Sequence, residues 1–113
     1  MSRKEQVPIK DDLEQHFDID VQALLFINEN PFLRKYLHQA LSILEAIFGK
    51  DAILELRLIK DPEIANYQTL YCNIWVSVSI DEALDKLDAF DDEYYLKLPN
   101  DVTSYLNFNV RCR

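Results

Sequence analysis

From Phe32 to Phe48 the apolar residues recur at three- and four-residue spacing: Phe32, Leu33, Tyr36, Leu37, Ala40, Leu41, Leu44, Ile47 and Phe48. That pattern puts them on one face of a helix of about five turns. Asn30-Pro31 opens it, since Asn is a good N-cap and Pro suits the first helical position, where its missing N–H costs nothing. Gly49, the only glycine of the chain, follows where a left-handed residue is wanted, and Lys50 adds a positive charge near the negative end of the dipole. The period then changes to two. Over Ala52–Lys60, Leu54, Leu56 and Leu58 alternate with Glu55 and Arg57, the signature of a half-buried strand. Asp61-Pro62-Glu63 ends it because Pro cannot donate to a ladder, and Ile64 to Gln68 reads as a connecting loop. A second alternation runs from Thr69 to Val78, with Leu70, Cys72, Ile74, Val76 and Val78 on one face and Tyr71, Asn73, Trp75 and Ser77 on the other.

The next stretch organises the chain. Ser79 followed three residues later by Glu82 forms a capping-box pattern, and Asp81 and Glu82 sit where the helix dipole favours negative charge. Ala83, Leu84, Leu87, Phe90 and Tyr94 then share one helical face, against Asp81, Asp85, Asp88 and Asp92 on the other. After a turn at Pro99-Asn100-Asp101, Leu106, Phe108, Val110 and Cys112 alternate with Tyr105, Asn107, Asn109 and Arg111. The N-terminal residues are less patterned. Residues 1–12 read as a loose polar arm; Phe17 and Ile19 suit a short strand or a loop with two anchors; and Asp20 is placed to cap a short helix from Val21 to Ile27.

The predicted order is therefore helix–strand–strand–helix–strand. It implies an α+β domain over residues 30–113: a three-stranded antiparallel sheet, its third strand beside the first, with the two main helices on one face. Residues 1–29 form an N-terminal arm with a short helix. A chain of 113 residues suffices for one core-bearing domain. Twenty acidic residues against twelve basic give a net charge of −8, which disfavours nucleic acid and anionic membranes as partners. The first eight residues lack the apolar core of a signal peptide and no run approaches transmembrane length, so a cytoplasmic location is expected. Cys72 and Cys112 lack zinc spacing and fall on inward strand faces, which makes both small core residues.

Little catalytic chemistry is legible. A single glycine rules out a Gly-rich phosphate cradle, so no cofactor is expected. The run Asp88, Asp91, Asp92, Glu93 lacks the alternation and turn glycine of a calcium loop, so no metal is expected either. Acidic residues are mildly unfavourable at a helix C-terminus, which points to a basic partner or a local cap. His16 and His38 have no neighbouring motif that supplies a nucleophile and an orienting acid. On the sheet, Tyr71, Trp75 and Tyr105 are expected to face away from the helices, interleaved with Asn73, Asn107 and Asn109. That face is either an interface, most simply of a twofold dimer, or a surface covered by the N-terminal arm.

The run Glu82-Ala83-Leu84-Asp85-Lys86-Leu87-Asp88-Ala89-Phe90-Asp91-Asp92-Glu93-Tyr94-Tyr95, together with Asn30-Pro31, Phe48-Gly49 and Asp61-Pro62-Glu63, resembles a family of small uncharacterised bacterial proteins common in cyanobacteria. There the aromatic pair is often Trp-Trp, where Tyr94-Tyr95 stand here, and Asp92 stands for a Glu. The resemblance implies a bacterial cytosolic domain whose working feature is the acidic-aromatic helix end, and it carries no activity. Two readings follow. The first is a non-enzymatic interaction module, monomeric or homodimeric, that binds a protein partner, a basic one included, through Asp88, Asp91, Asp92, Glu93, Tyr94 and Tyr95 or through Tyr71, Trp75 and Tyr105. The second is a small hydrolase or metal-dependent enzyme built from distant carboxylates and His38.

Overall fold

The computed structural model describes residues 12–60, 63 and 67–113. The elements are α1 (Asp12–His16), β1 (Phe17–Ile19), α2 (Val21–Glu29), α3 (Phe32–Phe48), β2 (Ile53–Lys60), β3 (Gln68–Val76), α4 (Ile80–Glu93), a 3-10 turn (Tyr95–Lys97), α5 (Asn100–Thr103) and β4 (Leu106–Cys112). The α+β class is as expected, but the sheet has four strands in the order β1-β2-β3-β4 and is mixed. β2 and β3 form the antiparallel hairpin, while β1 runs parallel to β2 and β4 parallel to β3.

Two expectations are corrected here. The last strand lies beside β3, not beside the first long strand, and it is parallel. The connection decides this. Helix α4 is 14 residues long, and at 1.5 Å per residue it carries the chain back over the length of β3, so the next strand starts at the same end. The place beside β2 is taken by β1, which helices α2 and α3 connect to it in the same crossover manner. The arm residues 1–11 and most of the Asp61-Pro62-Glu63 turn lie outside the described residues.

The core fills one face of the sheet. Leu54 and Leu56 from β2, Leu70, Cys72 and Ile74 from β3, and Leu106 and Phe108 from β4 are buried there with Leu33, Leu37, Ala40 and Leu44 of α3 and Ala83 and Phe90 of α4. Leu13, Phe17, Ala23, Phe26 and Ile27 are buried in the same cluster, so residues 13–27 share the core with the rest of the described chain. Cys72 is buried as expected. Cys112, the last residue of β4, is exposed, contrary to expectation: the alternation of burial along the strand stops after Val110.

Local signals were met in part. Asp20 caps α2 by accepting from Ala23 N–H at 2.8 Å. Ser79 Oγ accepts from Glu82 N–H at 3.2 Å, but the Glu82 carboxylate turns to Lys86 (3.7 Å) instead of closing the capping box. Asn30 does not cap α3. Its side-chain amide donates to Phe26 O at 3.0 Å and closes the end of α2, since only Asn30 and Pro31 separate the two helices. The cation at the end of α3 comes from across the core: Lys86 Nζ donates to Ile47 O at 3.2 Å. Gly49 has φ of +85° and ψ of 166°, and its N–H donates to Glu45 O. A Cβ there would meet nothing within 4 Å, so the cost of a side chain is purely conformational. Gly49→Ala should lower stability by about 1–2 kcal/mol in a urea titration.

Candidate functional site

Strand alternation places Glu55 and Arg57 of β2, Thr69, Tyr71, Asn73 and Trp75 of β3, and Asn107, Asn109 and Arg111 of β4 on the face opposite the core. Thr69 and Asn73 are buried there, and the other side chains of the face are partly or fully exposed. Cross-strand register forms rows: Asp18–Glu55–Asn73–Asn109, then Arg57–Tyr71–Asn107, then Ile53–Trp75–Arg111. The centre of the face is Glu55. One carboxylate oxygen accepts from Asn73 Nδ2 (3.1 Å) and Trp75 Nε1 (3.2 Å), and the other lies 3.2 Å from Arg57 Nη2. Arg57 also reaches Asp18 Oδ2 at 3.1 Å and Asp20 at 3.8 Å, and donates to Asp18 O and Leu56 O. Trp75 is thus a half-buried, amphipathic side chain held by its N–H, with its ring on the surface.

Asn73 is buried in the middle of this face, and its Oδ1 has no hydrogen-bond partner. Flipping the amide would set that oxygen against the Glu55 carboxylate, so the network fixes its orientation. A buried acceptor left unpaired costs about 1–3 kcal/mol, and Thr69 Oγ1 on the same face is buried and unpaired as well. Ile53 and Ile59, at the two ends of β2, add exposed apolar side chains to the same face. Sequence reasoning passed over both isoleucines and the Glu55–Arg57 pair. Continuing the two-residue period from Glu55 in both directions would have found the isoleucines.

Tyr105 is not on this face, contrary to expectation. It packs on the helix side against Phe26 and Phe32, at ring distances of 6.0 and 5.8 Å. It precedes β4 in a turn whose N–H bonds back to Val102 O, and there the strand alternation does not yet hold.

The acidic end of α4 separates into two groups. Asp88, Asp92 and Glu93 are exposed. Asp91 is half-buried, and its carboxyl is held above the usual range by burial first and then by the charges of Asp88 and Asp92. The aromatic pair that follows points inward. Tyr94 is buried, its hydroxyl donating to Tyr36 O at 2.8 Å with Gln39 Oε1 at 3.0 Å, and so clamps α4 to α3. Tyr95 stacks edge-on to Phe108, and its hydroxyl donates to Leu106 O at 2.8 Å. Both tyrosines hold the fold, Tyr94 from a buried position and Tyr95 from a half-buried one.

Burial, with Tyr36 adding to it, pushes the Tyr94 phenol up to about 12. Because its folded pKa is raised, this contribution to stability is complete below the unfolded phenol pKa near 10. It is lost as pH rises from about 10 to about 12. Wild type should therefore lose stability across that alkaline window in urea titrations, and Tyr94→Phe should show a flatter loss from a lower starting point.

His16 and His38 are both exposed. Among the described residues no three His, Cys, Asp or Glu side chains converge on a site for a metal ion. The Cys72 thiol is raised by burial and by the Glu55 charge, which keeps it protonated and unreactive. No described helix is long and apolar enough to cross a membrane. Comparison with protein-family models, curated proteins and solved structures gives no match.

Proposed function

We propose that this chain is a non-enzymatic protein-interaction module whose working surface is the sheet face around Trp75, with the exposed carboxylates of α4 as a second contact for a basic partner. The observation that carries this reading is Trp75, whose indole N–H is held by Glu55 while its ring stays part-exposed between Ile53 and Arg111. An indole anchored by its N–H, with exposed isoleucines and polar side chains around it, has the composition of an interface centre. Asp88, Asp92 and Glu93 add a negative field that steers and orients a basic surface more than it adds affinity. A cytoplasmic location accords with this role.

The test is capture on the tagged chain from its native lysate, washed at low and then high salt. The wild type is compared with Trp75→Ala and with Asp91→Asn/Asp92→Asn/Glu93→Gln. A stoichiometric partner that survives salt and is lost in Trp75→Ala is the expected result. A partner released by salt and lost only in the triple variant would move the main contact to α4. If all three chains return the same background, the module reading is wrong. The triple variant also carries a stability prediction. Asp91 loses an unfavourable charge, so the melting temperature should rise, by no more than about 1 kcal/mol of stability given solvent screening.

A further inference from the structure

We infer that the outer edge of β4 pairs with the same edge of a second copy, giving a twofold dimer with one continuous eight-stranded sheet. The ladder to β3 shows which backbone groups remain outward. Leu70 N–H donates to Tyr105 O, and Arg113 N–H donates to Val76 O. With Leu70 opposite Leu106 and Val76 opposite Cys112, the odd-numbered residues of β4 therefore bond to β3. The even-numbered ones, Leu106, Phe108, Val110 and Cys112, direct N–H and C=O away from it. Tyr95 occupies Leu106 O. Nothing among the described residues bonds the outward groups of Phe108, Val110 and Cys112.

The two edges of the sheet differ. β1 is three residues long and is tied down by Arg57 across Asp18, which blunts that edge. β4 is seven residues long, with no Pro, no Lys and no bulge in its pairing. Six outward groups on three alternate residues are self-complementary about Val110. In an antiparallel pair Val110 faces Val110 and Phe108 faces Cys112, giving six hydrogen bonds. Asn109 then faces Arg111 across the join, a neutral-to-cationic pairing that sets no like charges directly opposite.

The helix layer continues the same surface. The flank of α4 that carries Lys86 and Tyr94 faces α3, through Ile47 O and Tyr36 O. Counting 100° per residue, the flank on the other side carries Ile80 and Leu84, both about half exposed although apolar, together with Asp91 and Asp88. A second copy paired at β4 would bring the two α4 helices onto the same side of the joined sheet. The strand is about 23 Å long and the two layers about 20 Å deep, so the join covers on the order of 450 Å² of plane. Side-chain relief raises that toward the ~800 Å² per partner of a standard interface. At −8 per chain the two copies repel, so this dimer strengthens with salt. A basic partner does the opposite.

The open face around Trp75 is not used, so failure of the dimer would leave that surface of the module reading untouched. Sedimentation over a concentration series tests it. Cys112→Pro removes one outward donor per copy while leaving the ladder to β3 and the core untouched, because Cys112 is exposed and its N–H points outward. It should weaken the dimer on the order of a hundredfold, two hydrogen bonds being lost, and Cys112→Ser should not. Register is read by oxidising a mixture of Asn109→Cys and Arg111→Cys chains, both with Cys112→Ser. The mixed disulfide should form far faster than any disulfide in either chain alone. A wild type that stays monomeric throughout overturns the inference. So does a dimer unchanged by Cys112→Pro, or a mixture that cross-links no faster than its components.

Discussion

Phe90→Ala should lower the free energy of unfolding by about 3–5 kcal/mol, the usual range for truncating a fully enclosed phenylalanine. Phe90 is completely buried, and its ring lies 4.8 Å from Phe108 and 5.7 Å from Tyr94. It therefore joins α4 to β4 and supports the tyrosine that clamps α4 to α3. Removing it leaves a cavity where three elements meet, and the aromatic contacts are lost beyond their area. A domain of this size is stable by about 5–15 kcal/mol in all, so the variant should lose a large share of its margin against unfolding. Phe90→Leu keeps most of the volume and should cost roughly 1.5 kcal/mol. Urea titration of both variants checks this. Equal losses in the two would mean that the ring contacts, not the volume, carry the energy.

Arg57→Ala should cost about 2 kcal/mol through a different cause. Its guanidinium touches Asp18, Asp20 and Glu55 and two backbone carbonyls, and it is only partly exposed. Without it three carboxylates remain close together with no cation between them. Hydrogen bonds to charged groups contribute about 1.5–3 kcal/mol, reduced here because Asp18 and Asp20 stand well out in solvent. The loss should shrink at high salt, where carboxylate repulsion is screened. Hydrogen exchange should speed up first at Phe17–Ile19, the short strand that Arg57 secures. Arg57→Lys restores the charge but not the fork of donors, so it should recover only part of the loss. Uniform destabilisation with no local effect at β1 would show that Arg57 acts on the sheet as a whole.

The long elements were readable because each carries its own period and its own stop. α3 begins beside Pro31 and ends at Gly49, and α4 begins at Ser79, as their residues indicate. β2, β3 and β4 follow from alternation, within two residues at each end. α1 and β1 were beyond reach as settled elements, since five- and three-residue segments carry too little pattern and exist only because the core accepts Leu13 and Phe17. Trp75 and Tyr71 were placed correctly by parity. Tyr105 was misplaced by the same rule, because parity fails in the turn before a strand. Tyr94 falls on the apolar face of α4 by spacing, yet both tyrosines were also candidates for partner contact; the positions of Tyr36 O and Leu106 O, each brought near by folding, give their hydroxyls partners within the fold.

The amino-acid sequence alone determined the α+β class, the two long helices, the three long strands and the acidic character of α4, because these depend on residues near one another in the chain. Tertiary structure alone decided that the sheet is mixed, that β1 fills the place beside β2, and that Glu55 gathers Asn73, Trp75 and Arg57. Those facts depend on groups brought together across the fold, through register and crossover, where local periodicity carries no signal.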